Sequence, residues 1–161
     1  MSIFKREERL ALIATLFLSV LFTAGCATSI KYLYDTKAIF PDQKSYAWAP
    51  SAAMYRQDPL LEANVQALAD QLFAQKGLAR VSENSDLMIS MSYEFESGVY
   101  QYTYQLRALT LSAYKVKRDI SSPENKEPVW RGTAFGTINT DAASGDLKQA
   151  VEGILTHFPP K

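Results

Sequence analysis

The sequence predicts an α+β fold: an antiparallel sheet with two helices packed on one face, preceded by a cleaved lipoprotein signal peptide. Three observations predict it. Leu87, Ile89, Met91, Tyr93 and Phe95 alternate with Met88, Ser90, Ser92 and Glu94, the period-two pattern of a strand with one buried face. Leu61, Val65, Leu68 and Leu72 recur at helical spacing behind Asp58-Pro59, an N-cap followed by a proline whose missing N–H costs nothing there. Consecutive strand patterns joined by short links favour antiparallel neighbours, with the helices on one side.

The elements follow in order. Ile30–Tyr34 and Ser45–Trp48 read as strands, the second closed by Pro50, and Ala49–Gln57 as a connecting loop. The helix runs from Asp58 to Lys76-Gly77, with a basic last turn and a glycine free to take positive φ. Ala79–Val81 is a short strand and Asn84-Ser85-Asp86 is turn chemistry. The strand at 87–95 is broken by Gly98. Tyr100, Tyr102, Tyr104 and Leu106 continue with period two, and the phase changes at Arg107-Ala108-Leu109. A bulge or strand break near 107 accounts for that change. Arg118–Pro128 is polar, contains two prolines, and reads as a long hairpin loop leading to a strand over Val129–Ile138. Asp141–Gly145 is a turn. Leu147, Ala150, Val151, Ile154, Leu155 and Phe158 mark an amphipathic final helix stopped by Pro159-Pro160. The order is β-β-α-β-β-β-β-α.

The N-terminus reads as an address. Lys5, Arg6 and Arg9 against Glu7 and Glu8 leave residues 1–25 net positive. Leu10–Ala24 is an apolar run interrupted only by Thr15, Ser19 and Thr23. It is short for a hydrocarbon core of about 30 Å and fits the apolar region of a signal peptide. It ends in Thr23, Ala24, Gly25 and Cys26, which resembles a bacterial lipobox with Thr23 in place of the usual Leu. The first three are the expected signal-peptidase recognition residues. The Cys26 thiolate is the nucleophile that would accept a diacylglyceryl group, and its N-terminus would then take an acyl chain such as palmitate. Two or three chains hold a protein on a membrane where one does not. By resemblance to enterobacterial sorting, Ala27 favours the outer membrane over the inner one, with the domain facing the periplasm. The expected organisation is a signal peptide at 1–25, a lipidated cysteine and tether at 26–29, and one domain at 30–161.

Composition excludes several classes. The 161 residues carry 17 basic and 17 acidic side chains, whereas a nucleic-acid binder needs a concentrated basic surface. A single cysteine rules out internal disulfides and Cys-rich metal sites, and a single histidine argues against a histidine metal cluster. His157 sits in the last turn of the final helix and reads as a surface or cap residue. No Gly-x-Ser-x-Gly elbow or phosphate loop is present. Neither a metal nor any cofactor beyond the lipid on Cys26 is expected.

Two features remain as candidate chemistry. Tyr93, Phe95, Tyr100, Tyr102 and Tyr104 form an aromatic stretch that fits either a binding platform or cross-strand packing. Tyr100, Tyr102 and Tyr104 are the candidate partner-binding residues, with an envelope protein, a lipid or peptidoglycan as partner. Carboxylates such as Glu94 with Asp35 are the candidates for a hydrolase acting on an envelope polymer. The favoured expectation is a non-enzymatic binding or accessory component of an envelope assembly. The hydrolase and a purely structural lipoprotein are the alternatives.

Tyr34-Asp35, Tyr46-Ala47-Trp48-Ala49-Pro50, Asp86-Leu87, Val129-Trp130-Arg131-Gly132-Thr133-Ala134 and Phe158-Pro159-Pro160 occur in that order. With the 58–77 helix between them, they resemble the bacterial lipoprotein family of the domain of unknown function numbered 4136. The resemblance covers about 30–161. The chain departs from the family over Leu87–Met91, and at Thr110 and Ser112, where members often carry acidic residues. The resemblance implies an outer-membrane lipoprotein with no assigned activity and no known catalytic residues.

Overall fold

The computed structural model describes residues 28–49, 58–96, 105–116, 128–141 and 144–160. The signal segment, Thr23, Ala24, Gly25 and Cys26 lie outside these residues, as do Tyr100, Tyr102 and Tyr104 and the hairpin loop up to residue 127.

Strands β1 (Ser29–Tyr34) and β2 (Ser45–Trp48) precede helix α1 (Pro59–Gln75). Strands β3 (Ala79–Arg80), β4 (Leu87–Phe95), β5 (Gln105–Lys115) and β6 (Pro128–Asn139) precede helix α2 (Asp146–Thr156). They form one sheet in the order β1-β6-β5-β4-β2-β3. The β1–β6, β6–β5 and β5–β4 pairs are antiparallel, as expected. Strand β2, however, runs parallel to both β3 and β4, so the sheet is mixed. The cause is α1: a helical crossover returns the chain to the end where β2 began, and the next strand runs the same way. Asp86 secures the start of β2. Its Oδ2 accepts the Lys44 and Ser45 N–H groups at 2.9 and 3.0 Å and the Ser45 hydroxyl at 2.8 Å.

Helix α1 begins where Asp58 accepts the Leu61 N–H at 3.1 Å. It ends in a left-handed turn: at Gly77, φ is +82°, the Leu78 N–H reaches the Phe73 carbonyl and the Gly77 N–H reaches that of Ala74, both at 3.0 Å. That pair of bonds satisfies carbonyls a helix end leaves orphaned. Lys76 is the C-cap and the last turn of α1 itself contains no basic residue. The buried stripe is Leu61, Val65, Ala69 and Phe73. It is rotated slightly from the apolar spacing, with Leu68 and Leu72 at its margin.

Both helices cover one face of the sheet. Leu87, Ile89, Met91 and Tyr93 from β4, Leu106, Leu109, Leu111 and Ala113 from β5, and Trp130, Ala134 and Ile138 from β6 are buried with the inner faces of α1 and α2. Aromatic rings fill the centre: Phe73 meets Tyr46 at 4.7 Å and Phe158 at 5.6 Å, and Phe158 meets Trp130 at 4.8 Å between centroids. A buried ring of this size contributes about 2–3 kcal/mol; a neutral hydrogen bond contributes roughly 1 kcal/mol net. Packing therefore dominates the attachment of α1.

The phase change near residue 107 is a bulge. Glu94 pairs with Ala108 and Phe95 with Leu106, so Arg107 is the extra residue on β5. Without it, Leu106 and Leu109 could not both face the core.

Candidate functional site

Among the described residues, nothing covers the other face of β4, β5, β6 and β1. Register arranges that face in rows. Ser90, Ser112, Arg131 and Leu33 lie side by side across the four strands, and Ser92, Thr110, Thr133 and Lys31 form the next row. Glu94, Ala108, Phe135 and Ser29 follow. Tyr114 opposite Met88 closes the other end.

The middle of this face is a shallow hollow of about 390 Å³ with five serine and threonine side chains, Ser90, Ser92, Thr110, Ser112 and Thr133. They are the polar half of the strand alternation, which places residues i and i+2 on one side. Small side chains keep the surface low among longer neighbours, and Ser112 is only 4% exposed. The Thr110 and Thr133 hydroxyl oxygens are 2.9 Å apart and share a hydrogen bond. Arg131 donates from Nε to Ser112 Oγ at 3.3 Å. The rim is amphipathic: Leu33 is 73% exposed, and Lys31 Nζ stands 5.3 Å from the Phe135 ring centre. Such a face offers donors and acceptors at its centre and apolar contact at its margin.

Among the described residues no histidine lines this hollow, and Glu94 is the carboxylate that does. The single histidine, His157, caps α2 on the helix side, where its ring stacks on Tyr32 at 4.4 Å. Glu94 and Asp35 are not brought together. Glu94 shares its row with Ser29, and Asp35 lies six residues along and three strands across from that corner, a separation of roughly 24 Å at ordinary strand spacings. Asp35 instead closes the turn after β1 by accepting the Lys37 N–H at 2.9 Å.

Tyr93 and Phe95 prove to be helix-side residues, in edge-to-face contact at 5.6 Å. The Tyr93 hydroxyl accepts the Asp58 N–H at 2.7 Å and donates to Glu62 Oε1 at 2.9 Å. Burial, with the Glu62 hydrogen bond, raises the Tyr93 pKa. A second polar centre explains the Tyr46-Ala47-Trp48 piece. Asp70 Oδ1 accepts from the Tyr46 hydroxyl at 2.6 Å and from the Trp48 indole N–H at 2.9 Å, while Oδ2 meets Arg80 Nη1 at 2.9 Å. Burial first, and then the bond to Asp70, raise the Tyr46 pKa well above that of a free tyrosine. Asp70 carries no periodic signal in the sequence, and these contacts bind β2 to α1.

A family model described as a domain of unknown function, DUF4136, matches residues 30–160. The chain belongs to the DUF4136 family. A DUF4136 family protein from Bacteroides thetaiotaomicron VPI-5482 has a similar structure, with 16% identity, a TM-score of 0.64, and cover of 82% of this chain and 96% of that one. The PelC dodecamer from Paraburkholderia phytofirmans is also similar, at 15% identity and a TM-score of 0.53, with 81% and 96% covered. A PDZ domain protein from Parabacteroides distasonis ATCC 8503 matches at 13% identity and a TM-score of 0.55, over 83% of this chain and 36% of that one. At these identities the likeness is one of fold. No curated protein matches the chain.

Proposed function

We propose that this protein is a non-enzymatic accessory component of a cell-envelope assembly, anchored through lipid on Cys26 to the outer membrane and facing the periplasm. The open face of β4, β5, β6 and β1 docks another protein of that assembly. One observation carries the reading: among the described residues, a four-strand face with a hydroxyl centre and an amphipathic rim is left uncovered, while both helices pack on the other face. Two others support it. The lipobox resemblance ends at Cys26, close to β1. In PelC, the same fold is built into a dodecamer. The carboxylate hydrolase is the weaker reading, because its two candidates occupy opposite corners of the sheet.

Photocrosslinking in intact cells tests it. A photoreactive residue at Ser92 should capture one dominant protein, another envelope component or a second copy, while one at Gln149, exposed on α2, should not. Lipid or peptidoglycan adducts alone at Ser92, or the same products from both positions, would overturn the protein-docking reading.

A further inference from the structure

We infer that the sheet end holding Phe135, Gly136, Thr137 and Arg107 rests against the lipid headgroup layer, so the strands lead away from the membrane from that end. The inference rests on the proposed lipidation of Cys26 and adds an orientation to it. Thr28, two residues after Cys26, sits at this end: its Cα is 3.6 Å from where a side chain on Gly136 would begin. Two residues span at most roughly 7 Å. A membrane-embedded Cys26 therefore brings the Gly136 corner to the headgroups whatever tilt the domain adopts.

The chemistry of this end suits that place. Phe135 is 40% exposed beside the Lys31 ammonium. That pairing places an apolar ring next to a cation, as interfacial side chains do. A hollow of about 560 Å³ is lined by Glu96, Arg107, Phe135, Gly136 and Thr137, and Arg107 reaches it because the bulge makes it the extra residue of β5. Glu94, Glu96, and beyond Thr137 Asp141 and Asp146, more than offset Lys31 and Arg107, so this end carries no net attraction for anionic lipid. The tether holds it at the membrane, and its proximity should be insensitive to salt and to lipid charge.

The opposite end is distant. Lys115 lies seven residues beyond Ala108, the β5 partner of Phe135, or about 23 Å along the strand.

The test uses the full-length exported and processed protein. Cys26 is the sole cysteine and its thiol would be blocked by lipid, so Thr137→Cys or Lys115→Cys each supplies one labelling site. Each is coupled to an environment-sensitive fluorophore and reconstituted in phosphatidylcholine vesicles containing a headgroup-quencher lipid. The label at 137 should lose most of its emission and the label at 115 should keep it, with or without anionic lipid. Equal quenching, or stronger quenching at 115, in protein that carries the diacylglyceryl mass and floats with vesicles would overturn the orientation alone. Protein that lacks that mass and fails to float would overturn the anchoring reading, and the orientation with it.

Discussion

The Trp130 indole occupies the space that a side chain at Gly132 would need. A Cβ built on Gly132 would stand 2.7 Å from the indole Cη2 and 2.8 Å from Ile154 Cγ2. The glycine in Val129-Trp130-Arg131-Gly132 is thus a packing requirement: two residues apart on one face of β6, it leaves room for the large ring and for α2. Gly132→Ala should destabilise the fold by about 1–3 kcal/mol, the cost of overpacking a dense core. Gly77→Ala meets nothing within 4 Å but sits at φ +82°, and should cost roughly 1 kcal/mol through backbone strain. Urea unfolding of the two variants separates these causes, and Gly77→Ala costing the more would refute the packing account.

Asp70 joins three partners from two elements, and its loss should be unequal to theirs. Asp70→Ala leaves a buried tyrosine hydroxyl and an indole N–H without their acceptor and should cost about 2–3 kcal/mol. Arg80→Ala removes a partner whose side chain is 54% exposed and should cost under about 1 kcal/mol, as solvent-screened pairs do. Equal losses in chemical denaturation would mean that the ion pair to Arg80 of β3, and not the pair of aromatic donors from β2, carries the stabilisation that Asp70 supplies.

Alkali should weaken the fold through Tyr46. Folded Tyr46 keeps its proton to a higher pH than the unfolded chain does, whose tyrosines titrate near pH 10. The folded state then holds the extra proton, so the stabilisation is complete below about pH 10 and declines as pH rises above it. Tyr93 acts in the same direction. Urea midpoints from pH 8 to 11 should fall for the native protein and fall less for Tyr46→Phe, which starts lower. Parallel curves would remove Tyr46 as the cause.

The hydroxyl face should tolerate change without loss of fold. Thr133→Val gives up one shared hydroxyl bond and keeps the shape, at a cost of about 0.5–1.5 kcal/mol. In the same background, a crosslinker at Ser92 should lose most of its capture if the face docks a protein. Thermal melts read beside the crosslink yield distinguish the two effects: capture lost only in step with folding would deny the face a docking role.

Strand and helix identities were legible because alternation and helical spacing report burial directly: Leu87–Phe95, the Asp58 cap and the phase slip at 107 all appear as their residues imply. Sheet order was not. Nothing in Ser45–Trp48 says that β2 lies between β3 and β4 and runs parallel to both, since a short strand's partners depend on where α1 returns the chain. The open face was half legible. Ser90, Ser92, Thr110 and Ser112 show as the polar half of their strands, but only the register sets Thr133, Arg131 and Leu33 beside them. Asp70 and Gly132 were hidden because each answers to residues distant in space or to the bulk of a ring, and periodicity encodes neither.

The position of β1 at the sheet edge has a consequence for the time course of folding. Among the described residues its only strand partner is β6, and the paired residues are 96 to 106 positions apart along the chain. Closing so long a loop comes late, because its entropy must be met before the contacts reward it. A chain delivered from its N-terminus would thus have β1 waiting for this partner until residues 130–135 arrived. Ile30, which packs against Gly153 of α2, would be among the last side chains to settle.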